Sequence, residues 1–103
     1  YRSISIGEIQ SNKTTNTICD GLRAQIGTIT FPIIREKVDG IIRVDEKEII
    51  STMRMIWERM KIIVEPSCSI TLAAVLNNKK IFNGKKVGLI LSGGNVDLNK
   101  LPW

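Results

Sequence analysis

The run Val87-Gly88-Leu89-Ile90-Leu91 is the feature of the sequence that most restricts the fold. Its apolar residues do not alternate with polar ones, so a strand formed here has to be covered on both faces. Strands of that kind belong to parallel sheets with helices on either side, and helical patterns do alternate with apolar runs along this chain. The sequence therefore predicts an α/β fold with a parallel sheet.

Two helices are the best-defined predicted elements. The first begins with a capping box formed by Asp45 and Glu48. Apolar residues at spacings of four and three give this helix one buried face: Ile49, Met53, Ile56, Met60 and Ile63, with Trp57 beside them. Core packing explains this face better than a ligand groove does. The second helix follows the interruption at Pro66, with Ser67 as its predicted cap, and extends through Leu76.

Shorter elements are predicted around these two helices. A helix capped by Thr30 ends at Asp39-Gly40, and residues 41–44, IIRV, form a short strand after it. Residues 85–91 form the last strand, while the polar residues 7–20 form a loop. With 103 residues, all of these elements belong to a single domain.

Composition excludes several classes of function. The net charge of +5 permits an anionic partner, but five aromatic residues without an interleaved pattern argue against nucleic-acid binding. Histidine is absent, which removes Ser-His and Cys-His catalysis. Cys19 and Cys68 form neither a zinc motif nor a disulfide framework, and no apolar run could span a membrane. We expect no metal site and a reduced, cytoplasmic setting.

A polar corner, Ser92-Gly93-Gly94-Asn95, follows directly on the last apolar run. Ligands of open α/β sheets bind beyond the carboxyl ends of the strands, and glycines let a backbone approach a ligand closely. A plain structural turn explains the same residues. Glu65, between an apolar stretch and Pro66, is either a solvated charge at a helix start or a residue that faces a site.

Five segments together resemble a known family. They are TICDGL (17–22), FPIIREKVDGI (31–41), WERMKIIVEPS (57–67), LAAVL (72–76) and LSGGNVDL (91–98). In this order they are similar to the C-terminal part of the serine racemases and serine/threonine dehydratases. These are fold type II (tryptophan synthase β-like) enzymes that use pyridoxal phosphate. The resemblance implies that residues 1–103 form a single segment, the C-terminal portion of the parallel-sheet large domain.

The resemblance also implies roles for individual residues. Ser92 matches the family's hydrogen-bond partner of the pyridine nitrogen, a neutral partner that does not force protonation of that nitrogen. Gly93 and Gly21 match backbone positions beside the cofactor, and Glu65 matches a carboxylate close to the ring. These four are the expected cofactor-binding residues, whereas the Schiff-base lysine is expected upstream, so that no catalytic residue lies in the segment.

Further implications concern the full-length enzyme. Lys61 and Asn95 match positions that bind ATP at a subunit interface, so ATP and Mg²⁺ are expected activators of a homodimer that acts on serine or threonine. The piece alone should be inactive. The resemblance implies first a serine racemase that interconverts L- and D-serine and eliminates water from serine, and as the alternative an L-threonine/L-serine dehydratase without significant racemase activity. Ala24, where the racemases have a serine, weakens the choice of the racemase, and Cys68 and Ser69 replace smaller residues. A non-catalytic interaction module is the remaining alternative.

Overall fold

The computed structural model describes all 103 residues, and its regular secondary structure is helical. Five α-helices and one 3₁₀ turn follow one another, and no strand is formed. Their bounds are α1 Arg2–Ile6, the 3₁₀ turn Asp20–Leu22, α2 Thr30–Lys37, α3 Glu46–Met60, α4 Pro66–Asn77 and α5 Lys79–Phe82. No helix has both the length and the apolar character that crossing a bilayer requires.

Helix α3 confirms the prediction from its capping box. The Asp45 N–H donates to the Glu48 carboxylate at 3.0 Å, which satisfies a backbone donor at the helix start. Ile49, Met53 and Ile56 are buried as their spacing predicts, but Met60 at the end of the helix is exposed. The stripe is therefore core along most of the helix, as ordinary packing requires.

The main core lies where α3 meets α4. Met53, Ile56, Val64 and Cys68 form one buried cluster, against which four partly buried side chains pack: Trp57, Leu72, Leu91 and Val96. Because Val64 immediately precedes Glu65, and Leu91 immediately precedes Ser92, this cluster anchors the backbone at both of those candidate residues.

Helix caps differ from the sequence prediction by one or two residues. Glu65, not Ser67, is the N-cap of α4, and Pro66 occupies the first turn, where its missing N–H costs nothing. Thr30 lies inside α2, whose N-cap is Ile29, and its hydroxyl donates to the Gly27 carbonyl at 3.1 Å. In both cases the element is correct and its first residue is not.

The predicted parallel sheet is not confirmed, since residues 41–44 and 85–91 form no strand. One backbone hydrogen bond, from the Glu65 N–H to the Gly93 carbonyl at 3.0 Å, joins the segments before α4 and around Gly93. A parallel ladder needs several evenly spaced bonds of this kind. The apolar run is also open to solvent, with Ile90 79% exposed, so the expectation that both faces are covered is wrong within these 103 residues.

Candidate functional site

Residues 92–95 lie flat against the segment that leads into α4. A Cβ added at Gly94 would stand 2.6 Å from the Ile63 carbonyl oxygen, and one at Gly93 would stand 3.1 Å from Oε2 of Glu65. Both distances are shorter than ordinary van der Waals contact. At Gly94 the two backbones therefore approach too closely for a side chain, whereas at Gly93 the close neighbour is the Glu65 carboxylate.

Glu65 is the half-buried residue at the centre of this region. Its Oε2 accepts a hydrogen bond from the Asn95 N–H at 2.9 Å, across 30 positions of sequence. Its Oε1 accepts no hydrogen bond within the chain and lies 3.9 Å from the place of a Cβ at Gly21. Glu65 lies at the start of α4, and whether it also faces a site stays a prediction.

The Asp20–Leu22 turn approaches the same place from the other side. The Gly21 N–H donates to Ser67 Oγ at 3.2 Å and to the Asp20 carboxylate at 2.8 Å. A Cβ at Gly21 would stand 3.0 Å from Ser67 Oγ, so this glycine also marks a close approach. The sequence does not predict this role of Ser67, because its partner is 46 positions away and no local pattern signals the contact.

Ser92 is exposed, and its hydroxyl makes no hydrogen bond within the chain. A hydroxyl can donate one hydrogen bond and accept two, so this one is available to a ligand. Gly21, Glu65, Ser92 and Gly93 thus belong to three segments that meet at the start of α4. The structure brings the four expected cofactor-binding residues into one region.

The two expected nucleotide-binding residues are placed less closely together. Asn95 lines a cavity of about 250 Å³ that also has Arg23, Lys100, Asp20 and Asp97 in its wall, and Lys61 is not among the lining residues. Lys61 is instead the C-cap of α3, in the left-handed conformation with φ of 59°. It is the one non-glycine residue of the chain with a positive φ.

Cys19, the residue before the 3₁₀ turn, is buried, with 1% of its surface exposed. Burial raises the pKa of its thiol, and the nearby Glu46 and Asp20 carboxylates act in the same direction, while the Thr17 hydrogen bond and Arg23 oppose them. The folded state therefore favours the neutral thiol more strongly than the unfolded state does. Its stabilising contribution is complete below the unfolded pKa and is lost as the pH rises through the folded pKa.

We therefore expect Cys19→Ala to change the alkaline stability of the protein. Between about pH 8 and pH 10, on either side of the ordinary thiol pKa, the unfolding free energy should fall less steeply in the variant than in the parent protein. Urea unfolding at a series of pH values measures this. Between pH 6 and 7 the difference between the two proteins should stay constant; parallel curves up to pH 10 would contradict the prediction.

Comparison with known proteins adds the following findings. A family model described as "Pyridoxal-phosphate dependent enzyme" matches residues 1–93. A serine racemase of Dictyostelium discoideum is 53% identical over 105 residues, covering 98% of this chain and 32% of its own length. A beta-hydroxyaspartate dehydratase of Paracoccus denitrificans is 40% identical over 103 residues, covering all of this chain and 33% of its own.

Solved structures give the same result. The crystal structure of the Dictyostelium discoideum serine racemase superposes with a TM-score of 0.84 at 56% identity, covering 95% of this chain and 32% of that one. The crystal structure of a threonine deaminase superposes with a TM-score of 0.87 at 40% identity, covering 93% of this chain and 35% of that one. The chain spans about a third of the length of the relatives it matches.

Proposed function

The chain belongs to the pyridoxal-phosphate dependent enzymes, and on this premise we propose that it is part of a serine racemase. The proposed enzyme interconverts L- and D-serine and also eliminates water from serine to give pyruvate and ammonia. The observation that carries the proposal is the meeting of Ser92, Gly93, Gly21 and Glu65 at the start of α4. Similarity to serine racemases over nearly the whole chain supports the choice within the family.

The residues present fit pyridoxal phosphate. Gly21 and Gly93 carry no side chain, and the places of their missing Cβ atoms lie against Ser67 and Glu65, so these glycines keep the region from being crowded further. The Ser92 hydroxyl has no partner within the chain and is suited to the pyridine nitrogen. When bound, the cofactor supplies the electron sink for negative charge at the substrate α-carbon. Ser92 is a neutral partner, so it would hold the ring without imposing a proton on its nitrogen.

We propose that the catalytic lysine lies outside these residues, in a larger polypeptide of which this chain forms the C-terminal part of the large domain. Apolar side chains such as Ile29 and Ile90 are about four-fifths exposed here, as expected of surfaces that further polypeptide covers. In that enzyme the segments around Val44 and Leu89 would be strands of the parallel sheet. Residues 1–103 alone would then have no racemase or dehydratase activity.

Regulation and assembly are proposed from the resemblance. Lys61 and Asn95 would bind ATP at the interface of a homodimer, and the basic groups of Arg23 and Lys100 beside Asn95 suit a phosphate. Mg²⁺ would need ligands from elsewhere, because no group of three or more Cys, Asp or Glu side chains gathers in this chain. The unpaired thiols of Cys19 and Cys68 suit a cytoplasmic enzyme.

A dehydratase without significant racemase activity is the second candidate function. Ala24, exposed and without a hydroxyl, and the similarity to a beta-hydroxyaspartate dehydratase favour it. The ratio of D-serine to pyruvate formed from L-serine by the intact enzyme separates the two. Comparable amounts of both products support the racemase, whereas pyruvate alone, without D-serine, supports the dehydratase.

Ser92→Ala tests the cofactor assignment directly. Loss of one neutral hydrogen bond should weaken pyridoxal phosphate binding up to about tenfold, the equivalent of about 0.5–1.5 kcal/mol. Titration of the cofactor-free protein, followed by absorbance, measures the dissociation constant. Ser51→Ala, on the exposed face of α3, is the matched control and should bind as the parent does. Equal binding by all three proteins would contradict the role of Ser92.

A further inference from the structure

Glu65 contacts the turn after Ser92 in two ways. Its main-chain N–H donates to the Gly93 carbonyl at 3.0 Å. Its carboxylate Oε2 accepts from the Asn95 N–H at 2.9 Å. One residue therefore holds the backbone on both sides of Gly94, immediately after the hydroxyl that is exposed to a ligand.

Of these two hydrogen bonds, the one from the Asn95 N–H to the Glu65 carboxylate is the stronger. A hydrogen bond to an ionised acceptor contributes more than one between neutral groups. Its donor is a backbone N–H, so the bond constrains the path of the main chain rather than one side chain. The close packing at Gly93 and Gly94 leaves that path little freedom as long as the bond exists.

The surroundings of Glu65 hold its side of the hydrogen bond to Asn95 in place. Glu65 is the N-cap of α4, a helix of 12 residues, and its neighbours Val64 and Cys68 are buried in the main core. The partial positive charge at a helix start also favours a carboxylate there. By contrast, residues 92–95 belong to no helix or strand and need an external support.

We propose that Glu65 is a positioning residue that orders the Ser92–Asn95 turn before any ligand binds. It acts through the Asn95 N–H, and the effect is to hold the Ser92 hydroxyl in the place where the ring nitrogen of the cofactor needs it. The relation to the cofactor rests on the function proposed above, whereas the ordering of the turn is a property of the cofactor-free protein. Pre-ordering of this kind improves affinity because less freedom is lost on binding.

Amide hydrogen exchange in the cofactor-free, full-length protein tests the ordering. In Glu65→Ala, exchange in the peptide that contains Asn95 should accelerate about tenfold or more, since a bond to a charged acceptor is lost. In Glu65→Gln, whose amide oxygen still accepts from the Asn95 N–H, exchange should stay within about threefold of the parent. If the alanine variant does not fold, Glu65→Asp replaces it, because its carboxylate is one methylene too short.

Two controls locate the effect. Glu58→Ala removes an exposed carboxylate that pairs with Arg54 on α3 and should leave the Asn95 peptide unchanged. Ser67→Ala removes one of the two acceptors of the Gly21 N–H and should leave the Asn95 peptide unchanged. The proposal is overturned if Glu65→Ala leaves the Asn95 peptide protected, or if Glu65→Gln exchanges as fast as Glu65→Ala.

A cofactor titration then separates this proposal from the proposed function. Pyridoxal phosphate should bind about tenfold more weakly to Glu65→Ala than to the parent, and nearly normally to Glu65→Gln. If the parent protein does not bind the cofactor, the proposed function fails, and the exchange data alone decide the role of Glu65. If the cofactor binds equally to all variants while exchange differs, the turn is ordered by Glu65 but its order does not serve binding, and the proposal fails.

Discussion

Replacing Gly94 with alanine should displace the Ser92–Asn95 turn and destabilise the protein by about 1–3 kcal/mol, the usual cost of overpacking. The added Cβ would stand 2.6 Å from the Ile63 carbonyl oxygen, a backbone atom that cannot rotate away. Because Glu65 holds Gly93 and Asn95 on either side, the strain cannot be relieved without breaking one of those bonds. Thermal unfolding and cofactor titration should both show the change.

Gly88→Ala is the matched control for this substitution. A Cβ at Gly88 meets no atom within 4 Å, so the variant should be as stable as the parent or slightly more stable. Gly93→Ala should have an intermediate effect, since its Cβ meets the flexible carboxylate of Glu65 rather than backbone. Equal stability of the Gly94 and Gly88 variants would show that the close approach at Ile63 is not a feature of the folded protein.

Met53→Ala should have a still larger effect on stability, through the core. Met53 is 1% exposed at the centre of the cluster where α3 meets α4, and truncation of such a side chain costs about 2–5 kcal/mol. The cavity would form in the cluster that also contains Val64, the residue before Glu65, so cofactor affinity should fall together with stability. Chemical denaturation of the two proteins measures the difference in unfolding free energy.

Met55→Ala, on the same helix, controls for the loss of a methionine. Met55 is 42% exposed and lies outside the core cluster, so its truncation should change the unfolding free energy by no more than about 0.5 kcal/mol. A similar loss of stability in the two variants would mean that α3 does not bury the face that its sequence spacing predicts.

The helices could be predicted because their signals are local. Helix α3 is specified by a capping box, which the structure confirms, and by apolar spacings, which it confirms at Ile49, Met53 and Ile56 but not at the exposed Met60 and Ile63. The sequence predicts the N-cap of α4 at Ser67, two residues late, because a serine is a common cap. The pair Glu65-Pro66 carries the correct signal, since proline is favoured in the first turn of a helix.

The site could be predicted only in part, because the contacts that form it are distant in sequence. Nothing local indicates that Ser67 meets Gly21 or that Glu65 meets Asn95, and these pairs are 46 and 30 positions apart. Family resemblance named Gly21, Glu65 and Ser92 individually, while the structure gives the hydrogen bonds that join their segments. The sheet could not be confirmed, since pairing of strands depends on neighbours rather than on the apolar run itself.

The edge-to-face pair of Trp57 and Trp103, with ring centroids 5.3 Å apart, gives the protein an optical probe of this region. The Trp57 indole N–H donates to the Val64 carbonyl at 2.9 Å, one residue before Glu65. Both tryptophans of the chain therefore report on the backbone that leads into α4. Their emission maximum and quenching should respond to any movement of that backbone, so that ordering of the region can be followed in real time without an attached label.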